Sequence, residues 1–324
     1  MTADAADLYT GAAVLAVLAL LLAVPVPAAL ARARWPARSP RPALACWQAV
    51  GLAGGLSLPG AGLTLAVSGL GRGWAGGLAA LPGQLPDAGA ASWAGLLLAS
   101  AAGLWLAAVT ITSAWRVAAA LHAHRARLDL AAGNWPGPAA EDARTHAGPA
   151  GGRRPLCGML RLVDYPIPVA YCLPGLRPRI VVSQGAIADL SPDALAAVLA
   201  HEQAHARGRH DVLIQPFIAW RQAFPFLPAA GQALRSVELL AEMLADDAAC
   251  RACGPAALRS ALQHIGDEHL ATGTGTTRTA TAELAQRETR LTSPPNPLPL
   301  PAATAAYAAA AALILLPPAL LALA

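Results

Sequence analysis

His201-Glu202-Gln203-Ala204-His205 places two imidazoles four residues apart with a carboxylate beside the first. On an α-helix, residues i and i+4 lie one turn apart on one face, so both rings can reach a single divalent ion. Glu202 is rotated by about 100° from His201 and can instead approach a water held by that ion, where a carboxylate serves as general base. The chemistry implied is metal-assisted hydrolysis. The plain alternative is a pair of surface or capping histidines with no metal. The helix that the motif needs is well signalled. Ser191 is an N-cap residue, Pro192 suits the first helical position and Asp193 the first turn, and an alanine- and leucine-rich run follows through His205.

A catalytic zinc site takes three protein ligands and leaves a fourth place for water, so a third ligand is expected downstream. Residues 234–252 read as a second helix, without internal Gly or Pro, carrying Glu238, Glu242, Asp246 and Asp247. Glu242 and Asp246 share a face at i,i+4, so one could ligate while the other fixes the tautomer of a ligating histidine. Spacing alone does not choose between Glu238 and Glu242. Histidine and carboxylate ligands also accept other divalent ions, and Zn²⁺ is the metal the motif favours. Cys250 and Cys253 form a CxxC with no second pair and no histidine at ligand spacing, and read as ordinary helix residues. The five cysteines give no disulfide framework.

The elements that position these residues sit in an apolar chain. Of 324 residues, 56% are hydrophobic and 13% charged, and the mean hydropathy of +0.46 argues against a wholly water-soluble protein. All 23 basic residues are Arg, and they do not gather into the basic stripe that nucleic-acid binding needs, so no direct nucleic-acid partner is expected. Uncharged stretches at about 8–31, 43–70, 92–115 and 302–324 are each long enough to cross a bilayer. The first lacks a basic flank and carries Asp4 and Asp7 before it, the reverse of a signal peptide. Gly54, Gly55, Pro59 and Gly60 in the second imply close helix packing or a local break, and Trp35, Trp74, Trp93 and Trp115 fall near span ends.

Arg32, Arg34, Arg38 and Arg41 follow the first span, and Arg116, Arg125 and Arg127 follow the third. The segment 71–91 has only Arg72. The positive-inside rule then places the N-terminus and 71–91 outside, and everything from about 116 to 301 in the cytoplasm. Within that stretch, 116–156 reads as a linker, Gly- and Pro-rich from 131, 157–292 as the folded catalytic domain, and 293–301 as a stiff Pro-rich connection to the last span. Arg179–Ser183 reads as a strand. Residues 212–233, apolar but broken by Pro216, Pro225 and Pro228, read as an element at the membrane interface and not a fifth span. The expected fold is mostly α: a four-helix transmembrane region with an inserted cytoplasmic α+β domain.

The run CLPGLRPRIVVSQGAIADLSPDALAAVLAHEQAHARGRHD (172–211), followed by AEMLADDAA (241–249), resembles the BlaR/MecR-type integral-membrane metallopeptidases, gluzincins related to the Ste24/HtpX proteases. The resemblance implies a zincin-like domain and a Glu-x-x-x-Asp that maps onto Glu242 as third zinc ligand and Asp246 as its second-sphere partner. By analogy, Arg179–Ser183 would be the edge strand that receives substrate. His210-Asp211 falls where the family has a basic-Asp pair, which reads as a helix-end charge pair at least as readily as a substrate contact. The implied activity is a zinc-dependent endopeptidase whose protein substrate is a winged-helix repressor or the chain itself, with membrane lipid as its other partner. Antibiotic-sensing members carry a penicillin-binding domain beyond the last span. This sequence stops at Ala324 in an apolar run, so direct β-lactam sensing is not expected of it. Two rivals are an HtpX-like quality-control protease, in which two spans would separate the motif from the third ligand, and a non-catalytic zinc-containing scaffold, which would have no use for Glu202.

Overall fold

The computed structural model describes residues 3–70, 73–84, 86, 88–131, 133–134, 159–271 and 278–323. The chain divides into two compact units, the first comprising residues 1–115, 214–240 and 297–324 and the second 116–213 and 241–296.

The first unit is helical, and its apolar runs give four helices long and apolar enough to cross a membrane, spanning Ala6–Arg32, Pro40–Leu70, Ala90–Leu130 and Leu300–Ala322. Pro25 and Pro27 cannot continue an interior hydrogen-bond ladder, so the first divides into α1 (Ala3–Ala23) and α2 (Pro25–Arg32). A short α3 (Trp35–Arg38) precedes α4 (Pro40–Val67), which runs unbroken through Pro59. Half of the most apolar window of the second span is buried, against 11% for the third, so α4 is the central helix. Close packing between α4 and α6 (Ala90–Ala131) is made by glycines other than those expected, since Gly55 meets nothing within 4 Å and Gly54 and Gly60 make only ordinary contacts. A Cβ on Gly62 would stand 2.6 Å from the Ala99 nitrogen, and one on Gly95 would stand 2.5 Å from the Ala66 nitrogen. The buried hydroxyls of Ser57 and Thr64 donate to carbonyls one turn back, Ala53 and Gly60, so neither hydroxyl is stranded.

Several segments differ from expectation. Residues 73–84 form a helix, α5, with Gly77 against Val67. Helix α6 continues to Ala131 because nothing after Gly103 interrupts its run of strong helix formers, so the first part of the expected linker 116–156 is helical. The rest of that linker, apart from Gly133 and Asn134, lies outside the described residues, as does Cys157. Helix α9 (His210–Ala223) accommodates Pro216, and its Phe217, 1% exposed, meets Trp47 edge-on at 6.3 Å. It is not among the four candidate spans. The last helix, α13 (Leu300–Leu323), follows the non-helical stretch 294–299.

The second unit is built on a small sheet in the order β1-β2-β4-β3, from β1 (Gly133–Asn134), β2 (Leu160–Val163), β3 (Ala170–Leu173) and β4 (Arg179–Ser183). β4 pairs in parallel with β2 and antiparallel with β3. Arg179–Ser183 is therefore an interior strand and not the substrate-receiving edge. Its residues 180–183 are all buried, which is why this segment is a β-branched run, and the strands at the ends of the sheet are β1 and β3. Ser183 closes the strand: its hydroxyl donates to the Ile167 carbonyl at 2.8 Å and accepts from Val169 and Ala186 nitrogens at 2.9 and 3.0 Å, capping α7 (Gln184–Asp189).

Helix α8 (Pro192–Gly208) starts at the Ser191 cap and packs Leu195, Val198 and Leu199 onto Ile180 and Val182. Helix α10 is longer than expected, Pro228–Cys253, because Pro228 is tolerated in a first turn. Two unforeseen helices, α11 (Pro255–Ala271) and α12 (Arg278–Thr292), follow. Leu258 and Leu291 from these pack with Ala197 and Ala249, and Cys250 and Cys253 lie against that cluster as small apolar residues.

The Gly95 contact gives a direct test. Gly95→Ala forces a methyl onto backbone and should cost about 1–3 kcal/mol. Gly103→Ala on the same helix meets nothing within 4 Å and should be neutral or slightly stabilising. Thermal unfolding of the purified variants in detergent checks the pair, and equal melting temperatures would contradict the packing.

Candidate metal centre

Helix geometry alone brings the first two groups together. His201 and His205 stand one turn apart on α8, their rings at 4.8 Å between centroids and their Nε2 atoms 3.1 Å apart. Helix α10 supplies the third group. Glu242 Oε2 lies 3.3 Å from His201 Nε2, and Glu242 Oε1 lies 3.2 Å from His205 Nε2. Among the described residues, this trio gathers ligand atoms within 4.8 Å of one another. Glu238 is one turn earlier on the same helix, about 6 Å along its axis, and is not part of it.

The donor set fits a zinc ion. In a tetrahedral site with bonds of about 2.0–2.1 Å, donor atoms stand about 3.3 Å apart. The Nε2–Nε2 separation of 3.1 Å, and the 3.3 and 3.2 Å from each imidazole to one or the other carboxylate oxygen, are of that size. Two nitrogens and one carboxylate are also the donors zinc shares with other borderline divalent ions.

Around the trio each group has a partner. Asp246, 2% exposed and one turn beyond Glu242, puts Oδ1 3.0 Å from His201 Nδ1. His205 turns its Nδ1 toward His210 Nδ1 at 3.0 Å. His210 gets there because α8 ends abruptly: Arg209 adopts the left-handed conformation (φ 48°, ψ 44°) and its amide bonds back to the His205 carbonyl. Gly208 leaves the space, since a Cβ there would sit 2.4 Å from His210 Nε2. His210 is therefore buried beneath His205, while Asp211 pairs with Arg209 at 3.5 Å. The sequence offered His210 as part of a helix-end pair or a substrate contact, and not as a neighbour of His205.

Arg287 on α12 is a residue the sequence reading missed. Its Nη1 lies 2.9 Å from Glu242 Oε2, while Nη2 and Nε donate to Asp246 Oδ1 and Oδ2 at 2.7 and 2.8 Å. Arg290, three residues on, donates from Nη2 to Asp247 Oδ2 at 3.1 Å. The faint signal was complementary charge: Arg287 and Arg290 on one helix face matching Asp246 and Asp247.

Glu202, offset by about 100° from His201 around α8, is not one of the three ligand groups. It is largely buried under the edge strand, where it accepts a hydrogen bond from the backbone amide of Cys172 on β3. Burial pushes its carboxyl up, against the lowering influence of the two imidazoles. Burial would also raise Glu242, but His201, His205 and Arg287 outweigh it and hold that carboxyl far below the usual range. In Asp246 the same burial is outweighed by Arg287 and His201. Burial depresses His201, yet its contacts with Asp246 and Glu242 win and lift it to about 9. His210, buried beside another imidazole, is lowered to about 4 and is neutral at pH 7. The site thus keeps two carboxylates ionised and a third poised closer to neutrality, a division of roles suited to ligation on one side and proton transfer on the other.

Residues 157–273 match the family model described as Peptidase family M48, so this part of the chain is similar to that family, and the similarity suggests a membrane-associated metalloprotease. No curated protein and no solved structure matches the chain. The matched stretch contains His201, Glu202, His205, Glu242 and Asp246, and stops short of Arg287.

Stripped of metal, the folded chain retains on His201 a proton that the unfolded chain releases near pH 6.5, so stability should fall as pH rises from about 6.5 to about 9. Zinc takes that proton's place and should flatten the slope. Thermal unfolding of chelator-treated and zinc-loaded protein across this interval checks the expectation, and parallel pH profiles would contradict it.

Proposed function

We propose that this chain is a membrane-embedded zinc endopeptidase in which His201, His205 and Glu242 hold the metal, Glu202 is the general base and Asp246 orients His201. The observation that carries the reading is the convergence of two imidazoles and a carboxylate within 4.8 Å of one another, with an upward-shifted glutamate beside them. The four apolar helices and the family match over 157–273 support it.

The chemistry a bound zinc ion would supply is polarisation of the scissile carbonyl and a lowered pKa for water. The remaining steps belong to the chain. Glu202 takes a proton from the attacking water and returns it to the leaving amine, so its carboxyl ends each cycle as it began. Asp246 holds the His201 ring against rotation. The substrate backbone adds to β3, the terminal strand of the sheet, whose Cys172 amide already meets Glu202.

The distribution of arginines around the spans favours a cytoplasmic active site. The substrate in this reading is a cytosolic repressor of winged-helix type or the chain itself, as in regulated signalling. None of the four candidate spans lies between His205 and Glu242, which favours this over an HtpX-like quality-control protease. The match to Peptidase family M48 is what favours the second reading.

The test is the proteome of cells expressing the protein or its Glu202→Ala form, read by intact mass. Loss of the general base should slow cleavage by about 10²–10⁴-fold. Both forms should bind about one zinc per chain, and His205→Ala should lose it. A repressor cut only where Glu202 is present supports the signalling role, and broad cleavage of membrane proteins supports quality control. Matching proteomes with zinc bound would sink the peptidase reading.

A further inference from the structure

We infer that Arg287 is a positioning residue of this centre: its guanidinium fixes Glu242 and Asp246 together in the arrangement that faces the two imidazoles. The inference rests on the zinc-peptidase reading. Glu242 and Asp246 are like charges one helical turn apart, and such i,i+4 pairs repel. Arg287 lies between them, 13% exposed, with three nitrogens used on the two carboxylates. It binds both oxygens of Asp246 and only Oε2 of Glu242, so Oε1 is left toward His205. Asp246 is thereby held against His201 Nδ1, and Glu242 against both Nε2 atoms.

Only a planar fork can do this. Lysine carries the same charge on a single nitrogen and cannot span the two carboxylates in a fixed plane. The docking of α12 does not depend on this contact alone, because Leu291 is buried with Ala197, Ala249 and Leu258, and Arg290 pairs separately with Asp247. Arg290 therefore serves as a built-in control on the same helix, since it pairs with Asp247, which is not in the donor set. Arg287 also lies beyond the stretch matched by the family model, so its role is read from the geometry alone.

The experiment is zinc affinity of the full chain in detergent, measured by competition with a chelator, for Arg287→Ala, Arg287→Lys and Arg290→Ala. Loss of a group that holds a ligand in place should weaken zinc binding by about 10–100-fold in Arg287→Ala. Arg287→Lys should remain clearly weaker than the parent chain, and Arg290→Ala should bind as the parent does. Chelator-treated melting temperatures separate this from helix anchoring, since Arg287→Ala and Arg290→Ala should both fall while only the former loses affinity. If Arg287→Ala does not fold, Arg287→Lys carries the test. A folded Arg287 variant with parental zinc affinity overturns the inference and leaves the peptidase reading standing. Failure of the parent chain to bind zinc overturns both.

Discussion

Glu242 meets both Nε2 atoms at 3.2 and 3.3 Å while sharing an oxygen with Arg287, and its three partners come from two other helices. Asp246, one turn on, is 2% exposed, and burying a carboxylate is costly unless charge and hydrogen bonds compensate. That requirement explains much of the surrounding structure. Helix α10 must dock against α8 to present Glu242, and α12 must dock against α10 to neutralise Asp246 and Asp247. The apolar contacts of Ala197, Ala249, Leu258 and Leu291 hold those helices at the needed separation.

The sheet does a different job. Its buried β4 is a rigid floor for α8, and Ser183, Ser191 and the left-handed Arg209 set where the neighbouring helices begin and end. Because β4 is interior, β3 is the terminal strand on that side of the sheet, and there the Cys172 amide meets Glu202. One strand exchange in the order of the sheet thus decides which backbone lies beside the candidate base.

The membrane-type unit follows other rules. Its helices gain little from apolar burial against lipid, so close backbone approach decides their packing. Gly62 and Gly95 supply it, each with the other helix's backbone where a Cβ would go. The buried hydroxyls of Ser57 and Thr64 bond within their own helix, which satisfies them without water.

What the sequence determined by itself was local. Two histidines at i,i+4 share a helix face whatever surrounds them, the Ser191-Pro192-Asp193 start is a property of three adjacent residues, and the four apolar runs declare themselves by length. The choice of Glu242 over Glu238 was open at this level, because both lie on one helix and only its docking selects the turn that faces α8. Tertiary structure alone placed Arg287 on Glu242 and Asp246, folded His210 under His205 and moved the sheet edge from β4 to β3. Each of these is a contact between segments whose separation along the chain says nothing of their separation in space. A helical period fixes neighbours within about one turn; beyond that distance the packing of buried side chains decides.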